Sequence, residues 1–506
     1  MSAVAEQTTS FALQERRKLI KSLRRFDMVF FTICAFVGLD TLGTVASNGP
    51  EGFLWLLITA VLFVAPYMLL MSEVGSAFTQ EGGPYEWTKL AFGRLQGGVA
   101  AVLYWVTNPL WVGGSLAFTA VAAWSANISK IGNGTAGDYA FCLAFIWISI
   151  TVAIISLRYG KWIPNAGAIL RAVVLGLFSL TMIVYGAKHG FSHFQGHFSP
   201  SRAVFFALVP VLLFNYVGFE LQNGAAEEME NPQRDVPISI LRSGIVGVLM
   251  YVVPVFCILI VLPADKVTNI GGFIDAVTVA FHGVYGGAAH GLLIFMTLCF
   301  IAALVTSGAV WMIGSDRIQA VAAYDGAFFP FFGVFNKRLG TPVRVNVMSG
   351  VVSSIFCIAA LAWFNAGANA TFYVVLTIAI STTLISYLWI FPTALKLRYL
   401  YPGAHRPYVH PFGKVGIWVS TLLVMFWIAL GSFEAVLPGV LERMFGLSYD
   451  FKGTWGVTRA KYEAYTFGTL AIILVFALLG YWSAARVRGD VATVPIDPDS
   501  AAPATV

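Results

Sequence analysis

Apolar runs long enough to cross a bilayer recur along nearly the whole chain, and they restrict it to folds that satisfy their own backbone hydrogen bonds inside lipid. Such segments fall at residues 26–46, 53–72, 96–124, 139–157, 164–187, 203–224, 240–262, 286–312, 345–364, 371–394, 415–437 and 465–485. Each has roughly the 20 residues that a helix needs to span the hydrocarbon core. The expected fold is therefore an all-α integral membrane protein with twelve transmembrane helices. Composition agrees: 58% of the 506 residues are hydrophobic and 11% are charged, against roughly 25% charged in soluble domains. An even number of spans leaves both termini on one side. Most of the 31 Lys and Arg residues fall there, which by the positive-inside bias makes it the cytoplasmic face of a cell membrane. The net charge of +6 follows from topology and anionic lipid, and implies no nucleic acid partner.

Two spans are interrupted where a membrane helix should be featureless. The sixth, within FFALVPVLLFNYVGFELQNGAAEEMENPQRDVPISI (205–240), carries Gly218, Glu220 and Gly224. A carboxylate at membrane depth is costly and faces a protein-lined cavity. Its flanking glycines let the chain leave helical geometry, which lipid tolerates only where the backbone lines such a cavity. The first span, FFTICAFVGLDTLGTVASNGP, has Gly38, Asp40 and Gly43 at comparable depth. Matched Gly-interrupted spans point to a five-plus-five inverted repeat (LeuT-like) with discontinuous helices 1 and 6 around a midplane site.

The chain then divides into a basic cytoplasmic tail (1–25), a ten-helix transport core (26–394), helices 11 and 12 with their loops (395–486) and a C-terminal tail (487–506). That last tail lacks periodicity and is expected to be disordered. The loop at 438–463 is amphipathic enough for a short surface helix. No apolar core with a small-residue cleavage site opens the chain. Instead Arg16, Arg17, Lys18, Lys21, Arg24 and Arg25 precede the first span and read as an anchor to anionic lipid. The five cysteines lie inside spans without metal-ligand spacing, so they are packing residues. Neither a metal nor a cofactor is expected.

The sixth span ends in EEMENPQRDVP (227–237), which resembles the EE-x-x-NP-x-R-D-x-P signature of the amino acid/polyamine/organocation permeases. Residues 73–87, EVGSAFTQEGGPYEW, resemble that family's loop after span two, lacking only its proline. Ser315-Asp316-Arg317 with Asp325-Gly326, Thr341-Pro342 and Arg344 resembles the loop after span eight. Arg406-Pro407-Tyr408 with Pro411-Phe412-Gly413 resembles the RPY-x-x-P-x-G element before span eleven. The resemblance covers most of the chain. It implies a secondary active transporter that moves amino acids across the cytoplasmic membrane by alternating access, proton-coupled or exchanging, and sodium-independent. Polyamines or other amines are the alternative substrate class.

In the family the span-one break reads roughly G-S-G-I-F, and its N–H groups receive the substrate carboxylate at the positive end of a half-helix. Here the matching residues are Gly38-Leu39-Asp40-Thr41-Leu42, and a fixed carboxylate at that spot repels another. Asp40 reads either as the N-cap of the outer half-helix or as the partner of a substrate ammonium group; plant-type polyamine permeases look similar here. Glu220, in Gly218-Phe219-Glu220, resembles the G-x-E of arginine/agmatine-type exchangers, which implies proton coupling. The competing reading is a structural hydrogen bond to unwound backbone.

Arg171 follows Asn165 by six residues and aligns with the family's N-x-x-x-x-x-K, where the lysine stands in the place of sodium. A permanent guanidinium would substitute for that cation; the alternative is a snorkelling or ion-paired side chain. The candidate substrate-binding residues are thus Gly38, Asp40, Thr41, Phe214, Tyr216, Gly218, Glu220 and Asn223, with Glu220 as proton-coupling group and Arg171 as cation-site substitute. Tyr104, Trp105, Asn108, Trp111, Asn215 and Phe219 are further wall candidates. A channel or transport-like receptor would carry a repeated ring of pore-lining groups or a large sensory domain, and neither is visible. No phosphate loop, nucleophile motif or metal cluster marks an enzyme.

Overall fold

The computed structural model describes residues 5–19, 21, 23–159, 162–191, 202–262, 272–363 and 368–495. Among the described residues nine helices are long and apolar enough to cross a membrane, running from Gly49–Ala77 to Arg459–Ser483. The first, third and sixth expected segments are not among them, for two different reasons. The third lies in one helical run made of Arg94–Trp111, a π-turn at Val112–Leu116 and Ala117–Asn127. Its middle carries Asn108, Gly113, Gly114 and Ser115 and is buried at the centre of the bundle, so it has no need of a lipid-facing apolar surface. The first and sixth segments are broken.

Helix Arg25–Phe36 ends at Val37, whose backbone is extended, and helical geometry resumes only at Leu42–Ala46. Helix Arg202–Asn215 stops likewise and gives way to a 3-10 turn at Leu221–Glu228. Backbone groups released inside a bilayer cost several kcal/mol each unless they find partners. Four side chains from four other helices supply them. The Tyr251 hydroxyl accepts from the Gly38 N–H at 2.7 Å and donates to the Phe36 carbonyl at 3.0 Å. Trp311 Nε1 donates to the Ala35 carbonyl at 2.8 Å, and Arg171 Nε to that of Val37 at 2.8 Å. At the second break the Tyr67 hydroxyl accepts from the N–H groups of Gly218 and Phe219, at 3.0 and 3.2 Å. Gly218 has φ +121°, and a Cβ there would lie 2.9 Å from the Trp311 ring. Only glycine fits.

The loops that carry the family resemblance meet at the end of the bundle that holds both termini. Arg317 is fully buried and donates to Glu81 at 2.9 Å, to Glu228 at 2.7 Å and to the Gly340 carbonyl at 2.6 Å. Glu73 takes Arg398 at 3.1 Å, Arg406 at 3.5 Å and the His410 N–H at 2.8 Å. Asp325 gathers Lys89, Arg94, the Tyr85 hydroxyl and that of Thr8. Burial acts to raise the Asp325 pKa, but Lys89 and Arg94 outweigh it and hold the carboxyl below its ordinary range. Glu81 goes the other way: burial pushes it up to about 8 against the pull of Arg317.

The basic tail departs from the lipid-anchor expectation. Arg16 pairs with Glu227, Lys18 with Glu15 at 2.5 Å, Arg24 with Glu230 at 3.1 Å and Arg25 with Asp235 at 2.6 Å. Leu23 also exchanges backbone hydrogen bonds with residues Glu228 and Glu230. Three of these cations, Arg16, Arg24 and Arg25, are tied to acidic groups that follow the sixth span, a contact that a sequence does not display. The C-terminal tail differs as well. Ala5–Thr9 and Val491–Pro495 form a two-stranded antiparallel sheet, inside the stretch expected to be disordered. Val491, Thr493 and Val494 have strand propensity, but the partner that makes it useful lies nearly the whole chain away. Residues 496–506 lie outside the described residues. In the loop at 438–463 two short helices form, Val440–Met444 and Phe451–Trp455.

Candidate substrate cavity

A cavity of about 20 Å³ sits between the two breaks, room for roughly one water-sized group. Gly38, Asp40 and Thr41 contribute from the first break, Phe214 and Asn215 from the end of the sixth-span helix, Thr107, Asn108 and Trp111 from the third span, with Tyr251 and Trp311 closing it. Asp40 is 2% exposed. Its Oδ2 accepts from Trp111 Nε1 at 2.8 Å and from the Ser115 hydroxyl at 2.5 Å, whereas its Oδ1 has no hydrogen-bond partner among the described residues. The short helix Leu42–Ala46 receives no side-chain cap hydrogen bond, so the N-cap reading of Asp40 does not hold. Its carboxylate is oriented instead by the third span.

Thr41 also faces the cavity, and among the described residues both amide atoms of Asn108 and of Asn215 are buried without hydrogen-bond partners. The cavity thus combines a free carboxylate oxygen, a hydroxyl and two amides with the rings of Trp111, Trp311, Phe214 and Tyr251. A carboxylate beside aromatic faces is suited to a cation, and buried polar groups of this kind call for a ligand or water to satisfy them.

Four of the residues expected to bind substrate lie outside the cavity walls. Tyr216 is fully buried and donates to the Leu56 carbonyl at 3.2 Å. Gly218 supplies the backbone turn. Asn223 Nδ2 donates to the Gly75 carbonyl at 3.0 Å and holds the 3-10 turn against the second span. Glu220 is fully buried among three phenols: Tyr67, Tyr104 at 2.7 Å and Tyr387 at 2.7 Å. Tyr67 therefore bridges the carboxylate to the loosened backbone of the sixth span. Trp105, one of the wall candidates, turns away to Asp316 and Ser349. Sequence reading missed Thr107, Tyr251 and Trp311 as cavity residues, and Tyr67 and Tyr387 around Glu220. Aromatics make up 15% of the chain, which hides the few that serve the site.

Arg171 is fully buried next to the first break. Besides Val37 it donates to the carbonyls of Gly167 at 2.7 Å and Ala303 at 3.0 Å, to Thr306 Oγ1 at 3.2 Å, to Cys34 Sγ at 3.0 Å and to the Ser307 hydroxyl. Among the described residues no ion pair includes it. Within these residues the side chain is buried rather than snorkelling, and it pairs with no carboxylate at ion-pair distance. The guanidinium sits in a cage of neutral oxygens and one sulfur from the first span and its break, its own helix and helix Ala289–Tyr324.

A small, mixed polar and aromatic cavity at paired helix breaks, inside a bundle of membrane-length helices, is an arrangement suited to transport, and the family and relatives that match this multi-pass protein make it a membrane transporter and not an enzyme. The chain belongs to the amino acid permease family, whose model matches residues 23–448. It is similar to a probable agmatine/putrescine antiporter of Lactococcus lactis, with 28% identity over 76% of this chain and 81% of the relative. An uncharacterized transporter of Legionella pneumophila is 26% identical over 78% of this chain and 85% of its own. A methylthioribose transporter of Bacillus subtilis is 24% identical over 68% and 76%.

Proposed function

We propose that this permease carries small organic amines, diamines and guanidinium-bearing amines ahead of α-amino acids. It would work by alternating access in a twelve-span, five-plus-five inverted repeat with both termini in the cytoplasm. The observation that carries the reading is the unpartnered, buried Oδ1 of Asp40 in a cavity walled by Trp111, Trp311 and Phe214. An ammonium head matches the cavity in size and charge, and the ring faces add cation–π attraction. The same cavity is a poor host for an amino acid's carboxylate: none of its lining residues is a Lys or Arg, and Asp40 stands where family members present glycine. Similarity to a probable agmatine/putrescine antiporter supports the same substrate class. Radiolabelled putrescine uptake into proteoliposomes preloaded with a diamine should be competed by agmatine and diamines and hardly at all by zwitterionic amino acids. Competition by alanine or leucine equal to that by agmatine would defeat the amine reading.

Glu220 is assigned the proton. Its carboxylate holds Tyr67, and Tyr67 holds the Gly218 and Phe219 N–H groups, so a change in its charge reaches the break directly. It does not line the cavity, so Glu220→Gln should keep amine affinity within about tenfold of wild type, roughly 1.4 kcal/mol, while the response of transport to pH flattens. A variant with the wild-type pH profile would leave Glu220 a structural hydrogen-bonding residue.

A further inference from the structure

A second cavity, of about 380 Å³, lies at the end of the bundle opposite the termini. It continues the path of the central one along the same two elements: Thr44 lies three residues beyond Thr41, and Val211 three residues before Phe214. Its far wall comes from the end of helix Gly413–Val436 and from the loop that follows, and it carries two carboxylates, Glu434 and Glu442. Each is only 2% exposed, and among the described residues each leaves one oxygen without a hydrogen-bond partner, Oε1 of Glu434 and Oε2 of Glu442. Buried carboxylate oxygens without donors are costly, and here they border a space large enough for a small molecule. Arg459 of the same region is turned to Glu463 at 3.3 Å and to the Pro438 carbonyl at 2.9 Å. The rest of the wall mixes apolar and aromatic side chains, among them Phe206, Leu208, Val211 and Trp455, with the polar Ser47, Asn48 and Thr454; Trp455 Nε1 donates to the Tyr449 hydroxyl at 2.7 Å.

We infer that this cavity is a second binding site for an organic diamine, an antechamber in which a molecule with cationic ends and a hydrocarbon middle is held by Glu434 and Glu442 before it reaches Asp40. Two carboxylates in a wall that also presents apolar and aromatic side chains fit that chemistry better than a metal ion, because no group of three or more His, Cys, Asp or Glu suited to a metal occurs among the described residues, and the cavity is far larger than an ion. The antechamber role rests on the amine reading of the central cavity; the binding itself does not.

Equilibrium binding of radiolabelled putrescine to the purified full-length protein separates the two. Wild type should bind two equivalents, Glu434→Gln/Glu442→Gln one, and Asp40→Asn one. A single equivalent in wild type that Asp40→Asn removes would overturn the second site and leave the central reading intact. Loss of one equivalent in the glutamate variant, with both retained in Asp40→Asn, would uphold the second site and defeat the central one. Saturable calcium binding that needs Glu434 and Glu442 and displaces putrescine would overturn the ligand class. A further measurement guards against misfolded glutamate variants. In Asp40→Asn, putrescine should quench tryptophan fluorescence saturably, and the added substitution Trp455→Phe should abolish that signal; no quenching would also overturn the site.

Discussion

Replacing Asp40 with asparagine is expected to weaken diamine binding by about 3 kcal/mol, roughly 150-fold, the scale of losing one partner of a buried hydrogen-bonded charge pair. The change is nearly isosteric. The asparagine oxygen can still accept from Trp111 and Ser115, which turns its NH2 group into the cavity toward the substrate ammonium. The favourable charge is then gone and a donor faces a donor. The folded protein itself should lose little, because Asp40 engages no cation within ion-pair distance among the described residues. Putrescine affinity, measured beside thermal unfolding of the same preparation, checks both halves. Wild-type affinity in Asp40→Asn would remove the carboxylate from recognition, whatever the transport rate.

Arg171→Met is expected to lose stability on the order of 3–5 kcal/mol, since the buried carbonyls of Val37 and Ala303 each lose a donor and the packing around a fully buried side chain is disturbed. The Val37 carbonyl belongs to the first break, so transport should fall with stability. Arg171→Lys keeps the charge but not the planar fork that reaches several oxygens at once, and should recover only part of the loss. The cage of neutral oxygens that Arg171 fills resembles a sodium site in donor type. Wild-type transport should therefore be unchanged when choline replaces sodium. In Arg171→Ala, where the cage is opened, sodium should raise the unfolding temperature. Wild-type uptake that vanishes without sodium, or an Arg171→Ala protein as stable as wild type and indifferent to sodium, would refute the assigned role.

Glu220 shows how a feature can be legible while its surroundings are not. A carboxylate between two glycines in an apolar run marks itself by its cost in lipid, and no structure is needed to single it out. The three phenols that hold it come from residues 67, 104 and 387, on three separate helices, and nothing in the local pattern of any of them distinguishes a tyrosine that meets a carboxylate from one that packs. Asp40 was legible for the same reason as Glu220, but its cap and its ligand roles were indistinguishable until Trp111 and Ser115 were seen to take one oxygen and leave the other free.

The sequence by itself determined what solvation dictates. Apolar length marks the membrane crossings, glycine marks where helical geometry can lapse, and the charged motifs mark the loops. Tertiary structure alone decided which distant groups meet: Arg171 under the Val37 carbonyl, Tyr251 across the first break, Arg317 between Glu81 and Glu228, and Asn223 against Gly75 instead of in the cavity. The physical reason is that hydropathy and backbone freedom are properties of a residue and its near neighbours in the chain. The satisfaction of a buried polar group depends on partners that only packing brings within 3 Å or so.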